Sequence, residues 1–174
     1  MSTDVRNTVR SALFKDPAAW GAYAILDGAS VKGLLERLGE DKPEHTCLYS
    51  GTIAPDLAMC APYLVRLQEG SAFTEWLLGE GWGKHWGVFA VSAADLQTVR
   101  KHCRQFLVVR DADGKSLYFR YYDPRVLRTY LPTCNPGELR QFFGCVTRYI
   151  AEAEQSDQAA ADVFERRGAE LIRK

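Results

Sequence analysis

The sequence predicts a mixed α/β (α+β) fold: a single domain with a mixed β-sheet flanked by helices and a helical C-terminal part. Three observations predict it. Short apolar runs alternate with helix-period patterns, an Asp-Ala-Asp-Gly turn sits between two strand-like runs, and Asn-Pro-Gly-Glu opens an amphipathic stripe. The length of 174 residues fits one domain. A chain of this size buries roughly 70% of its unfolded surface, enough for a core without disulfides or metal.

Tyr23-Ala24-Ile25-Leu26 reads as a buried strand ended by Asp27-Gly28. Ser30 is placed to cap a short helix carrying Leu34, Leu35 and Leu38, with Gly39 just past its end. Cys47-Leu48-Tyr49 is a second strand. Pro55 suits the first turn of a helix through Cys60, which Pro62 stops. Tyr63 to Leu67 is the third strand. Ser71 caps a helix with Phe73, Trp76 and Leu77 on one side, and Gly79, Gly81 and Gly83 dissolve it. Trp86 to Val91 is the fourth strand.

Ser92-Ala93-Ala94-Asp95 resembles a capping box, followed by Leu96, Val99 and Cys103 at helical spacing. Phe106–Arg110 and Ser116–Tyr121 flank the Asp111–Gly114 turn, a hairpin signal. Leu117, Phe119 and Tyr121 alternate with Tyr118 and Arg120, which predicts one buried face and one face carrying arginine. Asp123-Pro124 reads as N-cap and first helical residue, and so does Asn135-Pro136 with Glu138 completing the box. The second of these helices would carry Leu139, Phe142, Phe143, Val146, Tyr149 and Ile150 on one stripe. Residues 1–19 then form an N-terminal extension, 20–150 the main domain and 151–174 a helical tail.

Charge excludes some partners. Lysine plus arginine and aspartate plus glutamate both number 22, which argues against a nucleic-acid binder held by bulk positive charge. Arg6, Arg10, Lys15 and Asp16 break any signal-peptide core, and no window is apolar enough to span a bilayer, so a cytoplasmic location without membrane contact is expected. Five cysteines without a C-x-x-C pair fit reduced thiols. Eight basic residues against three aspartates between Arg100 and Arg128 balance at +5, while Glu152 to Glu165 holds five acidic residues and no basic one. Such segments read either as two solvated faces or as a polarised surface that orients a protein partner.

Catalytic patterns are few. His45, Cys47, His102 and Cys103 lack the paired spacing of a zinc site, and no metal or cofactor is expected. Cys103 falls on an apolar helix stripe, where a thiol is packing rather than a nucleophile. No nucleophile elbow, P-loop or dinucleotide fingerprint occurs. Asp27 stands where a strand-end carboxylate can be catalytic, although a turn or cap role is the commoner use.

Aromatic residues carry more. Gly81–Gly87 sets Trp82 and Trp86 among three glycines beside Lys84 and His85. Tyr118–Arg125 interleaves aromatics with arginines, the composition of protein–protein hot spots. The same composition suits single-stranded nucleic acid, and core packing with snorkelling arginines is the plain alternative.

Tyr23-Ala-Ile-Leu-Asp27, Ala61-Pro-Tyr-Leu-Val-Arg-Leu67, Gly81-Trp-Gly-Lys-His-Trp-Gly87, Phe119-Arg-Tyr-Tyr-Asp-Pro-Arg-Val-Leu-Arg-Thr-Tyr-Leu-Pro132 and Leu139-Arg-Gln-Phe-Phe-Gly144 follow in order. Together, over roughly Trp20 to Ile150, they resemble the bacterial type VI secretion effector adaptors, the Tap/Tec chaperones of domain-of-unknown-function family 4123 (DUF4123). The resemblance implies a non-enzymatic cytoplasmic adaptor that binds a cognate secreted effector and helps load it onto the VgrG spike. Many relatives are longer at the C-terminus, where spike contacts could reside. Trp82, His85, Trp86, Arg120, Tyr122, Arg125 and Arg128 are the expected effector-binding residues, with Asp27, Asp123 and Pro124 structural and no catalytic residue. Two other classes stay open: a single-stranded nucleic-acid or other protein-binding module, and an enzyme of unrecognised type. The three arginines either recognise the partner or pair internally with Asp111, Asp113 or the Glu152–Glu165 stretch.

Overall fold

In the computed structural model, which describes residues 3–15, 21–110, 113–154 and 161–174, the first apolar run is strand β1 (Gly21–Asp27), buried at every position. It lies inside a seven-stranded sheet with β2 (His45–Cys47), β3 (Pro62–Leu67), β4 (Gly87–Ser92), β7 (Val146–Glu152), β8 (Ala161–Arg167) and β9 (Glu170–Arg173). Their order is β2-β3-β1-β4-β7-β8-β9. Every pairing is antiparallel. The expected mixed sheet is therefore corrected to a purely antiparallel one, because strands that run the same way, such as β1, β2 and β7, always have an opposing strand between them.

Both faces of the sheet are covered, which explains why its central strands read as unbroken apolar runs. Tyr23, Ile25, Val88, Ala90, Tyr149 and Ala151 pack with Leu96, Val99 and Cys103 of α5 (Leu96–Arg104), Leu127 of α6 (Pro124–Tyr130) and Phe142 of α7 (Pro136–Phe143). Ala22, Ala24, Leu26, Phe89, Val91 and Ile150 face the other way. They meet Val9 and Leu13 of α1 (Thr3–Phe14), Leu34 and Leu38 of α2 (Leu34–Asp41) and Phe73 of α4 (Ala72–Trp76). Thus α1 packs in the same layer as α2 and α4. No helix among the described residues is long and apolar enough to cross a membrane.

Local signals set most helix starts. Ser71 accepts from Thr74 N, Asp123 from Arg125 N, and Asn135 from Gly137 N and Glu138 N, with Glu138 closing the box. Two caps differ from expectation. Asp95, not Ser92, caps α5, since Ser92 Oγ donates to Cys145 O at 2.6 Å. Ser30 caps nothing; its hydroxyl goes to Asp27, and α2 starts after Gly33, whose φ of 75° only glycine adopts freely. Gly39 sits inside α2. Helix α3 (Pro55–Cys60) forms where proline predicted it.

Among the described residues the C-terminal part is strand instead of helix. Helix α7 stops at Phe143 because Gly144 takes φ 48°, and Val146, Tyr149 and Ile150 continue in β7. Residues 161–173 form the β8–β9 hairpin, turned by Gly168 at φ 62° and Ala169. The hairpin read over 106–121 is shorter, β5 (Val108–Arg110) with β6 (Ser116–Tyr118), and forms a second sheet. Asp111, Ala112 and Trp20 lie outside the described residues. Of the face expected to be buried, Tyr121 is buried, Phe119 half-buried and Leu117 exposed, since the chain leaves the strand before Tyr121.

Candidate functional site

Antiparallel register brings the end of β1, the start of β4 and the end of β7 to one edge of the sheet: Leu26 faces Gly87, and Phe89 faces Ile150. Asp27 closes β1 there, 2% exposed. Its backbone N–H donates to Trp86 O at 2.9 Å. Its carboxylate accepts from Ala29 N at 3.1 Å and Ser30 Oγ at 2.7 Å, the turn that Asp-Gly foretold. The Arg120 guanidinium pairs with the same carboxylate while its side chain stays 48% exposed.

Aromatics surround this pair. Tyr122 is buried, and burial first, then the Asp27 charge, pushes its hydroxyl well above the ordinary range. Burial likewise raises Tyr49, with the Tyr118 phenol adding to it; the two rings lie 6.3 Å apart. Tyr118 is 77% exposed. Next to it, Asp123 caps α6 and holds Arg125 through Oδ1 at 3.0 Å and Oδ2 at 2.6 Å. Burial acts to raise the Asp123 carboxyl, but the bonds to Arg125 prevail and hold it below its ordinary value.

A second buried acid lies at the same end. Glu152 Oε2 is 2.8 Å from His85 Nδ1, and the His85 N–H donates to both its carboxylate oxygens at 3.2 Å. Arg128 donates to the Glu152 carbonyl. His85 sits at φ 56°, left-handed backbone that a residue with Cβ adopts rarely, so this contact holds a strained corner.

The structure thus brings His85, Arg120, Tyr122, Arg125 and Arg128 to one end of the sheet, while the rings of Trp82 and Trp86 pack with the layer of α1, α2 and α4. Trp82 is buried and stacks on Phe89 at 6.0 Å, its Nε1 without a hydrogen-bond partner. Trp86 is half-buried, 5.0 Å from Trp76, with Lys84 Nζ above it at 5.1 Å. Trp82 and Tyr122, both expected to bind an effector, have their side chains in the interior. What the glycines admit is the chain's own ring, since a Cβ on Gly81 would lie 2.6 Å from Trp86. Asp27, Asp123 and Pro124 are buried.

Internal pairing of the arginines occurs, and Glu152, the first residue of the acidic stretch, is among the partners. Arg120 takes Asp27, Arg125 takes Asp123 and Arg128 takes a carbonyl. Further along the stretch, Asp162 pairs with Arg173 at 2.8 Å and Glu165 with Lys174 at 2.7 Å. Asp157 lies outside the described residues. Sequence reasoning missed Glu152, Tyr49 and Tyr118 as parts of this edge. Glu152 was visible only as one charge of an acidic run, while Tyr118 stood in the aromatic–arginine segment already singled out.

Chemically the edge offers guanidinium forks and phenol rings. The Cys103 thiol, deep in the core, is pushed up to about 12 by burial, which leaves no thiolate near neutral pH. Among the described residues no three His, Cys, Asp or Glu side chains gather to hold a metal ion. A family model described as a domain of unknown function (DUF4123) matches residues 22–141. No curated protein and no solved structure matches the chain.

Proposed function

The chain belongs to the DUF4123 family, and on that premise we propose that it is a cytoplasmic adaptor of type VI secretion that binds a cognate effector and helps load it onto the VgrG spike. It acts by binding, without a catalytic step of its own. The observation that carries this reading is the family match, which spans 22–141 of the 174 residues and is associated with secretion adaptors.

The edge at Asp27 supports it. Arg120 and Arg125 are anchored by buried carboxylates yet 48% and 60% exposed, so each keeps N–H groups for an outside acceptor. Tyr118 adds an exposed ring beside them. Arginine and tyrosine in such a cluster are the residue types that carry interface energy. His85 and Arg128, tied to Glu152, shape the floor of the same edge.

Affinity capture tests the proposal. The chain is co-expressed with the products of its flanking genes, including a VgrG protein, and recovered at mild salt. A stoichiometric effector-like protein that comes down with the wild type, and is lost with an Arg125→Ala variant that still melts cooperatively, supports the adaptor reading. Recovery of the chain alone with every neighbour tried overturns it.

A further inference from the structure

The β5–β6 hairpin stands apart from the seven-stranded sheet. Val108, Val109, Leu117 and Tyr118 are 49%, 38%, 42% and 77% exposed, so apolar side chains occupy both of its faces. Two strands alone are marginal in water, and a third strand or a covering layer is what stabilises them. Phe119 N–H donates to Leu107 O at 2.9 Å, and in this register Val109 and Leu117 are the pair whose backbone groups face each other. Val108 and Arg110 on one strand, and Ser116 and Tyr118 on the other, therefore turn their backbone N–H and C=O groups away from the partner strand.

Charge around the hairpin specifies the visitor. Arg104 precedes it, Arg110 and Lys115 stand within it with Asp113 between them, and the half-exposed Arg120 follows it, so cations outnumber the described acid. Arg120 is fixed at one nitrogen by Asp27, so its fork is preorganised for a second carboxylate. A second copy of this chain would set these same cations against themselves, which disfavours hairpin-to-hairpin pairing.

We propose that the β5–β6 hairpin accepts a third strand from its protein partner, an extended segment in which apolar side chains alternate with carboxylates. The partner's backbone pairs with an open hairpin edge, its apolar side chains extend the face of Val108 and Tyr118, and its carboxylates meet the flanking cations. This rests on the adaptor reading and names the kind of segment the adaptor holds.

The test uses the full chain and two labelled synthetic peptides, one alternating Glu with Val and Tyr, the other with Lys in place of Glu. Fluorescence anisotropy should show the Glu peptide binding at least about tenfold tighter than its Lys twin. Hydrogen exchange should slow at Val108 and Arg110 or at Ser116 and Tyr118, the pair on the edge that takes the peptide. Val108→Ser and Tyr118→Ser, both at exposed positions, should weaken binding at an unchanged melting temperature. Equal affinity for the two peptides, binding of neither, a preference for oligo-dT over the Glu peptide, or concentration-dependent dimerisation of the free chain overturns the proposal. A captured effector that leaves the β5 and β6 amides unprotected overturns the strand addition alone and leaves the adaptor reading standing.

Discussion

The carboxylate of Asp27 holds the guanidinium of Arg120, 93 positions further along the chain. One end of the pair is buried and the other is half in water, so the bond joins the core of the sheet to its outer edge. That position gives Arg120 two separable properties, a stabilising contact inward and an exposed fork outward.

Arg120→Ala should destabilise the fold modestly, because Asp27 keeps the bonds from Ala29 and Ser30 and water screens the lost charge. About 1–2 kcal/mol is expected. Thermal melts of Arg120→Ala, Asp27→Asn and the double variant measure the coupling. Strict additivity of the two single changes would show that the pair contributes nothing.

Asp123→Ala removes the cap of α6 and the anchor of Arg125 together. A loss of about 1 kcal/mol is expected, or about 2–4 °C in melting temperature for a chain of this size. Asp123→Asn retains the cap acceptor and should recover most of it. An unchanged midpoint in the alanine variant removes the cap from the account.

His102 gives the fold a pH dependence of definite sign. Its ring lies between α5 and α7, with Nε2 2.8 Å from Phe142 O and the Phe106 ring at 5.2 Å. Burial lowers its pKa below 6.5, against the opposing pull of the Phe142 carbonyl. The neutral ring is the form the fold accepts, so the stability it permits is whole above pH 6.5 and is lost as pH falls through the lowered value. Denaturant melts across that window should show a slope in the wild type that His102→Gln flattens.

Gly144→Ala should cost more than about 1 kcal/mol, since Gly144 has φ 48° and a side chain there would run into the His102 ring. A melt equal to the wild type would contradict this account of how α7 ends.

Much of the fold is written locally. Tyr23 to Leu26 shows as a strand because both its faces are buried, and Asp123 and Asn135 show as caps because capping is short-range chemistry. Val146, Tyr149 and Ile150 were ambiguous: their spacing fits a helix stripe, but in β7 Tyr149 and Ile150 face opposite layers. Gly144 was the available signal, as was Gly168 for the last hairpin. The candidate edge was legible in composition but not in geometry. Nothing in local spacing joins Asp27 to Arg120 or Glu152 to His85, and tryptophan content alone does not tell an interface from the stack of Trp82 on Phe89.

The central claim is that this chain works by holding another protein. Light scattering coupled to size exclusion, run on the chain co-purified with the effector-like product of a flanking gene, tests it most directly. The account predicts a single peak whose mass equals one copy of each protein and which splits when Arg125→Ala replaces the wild type. Two separate peaks from the wild-type pair, at every neighbour tried, would contradict it.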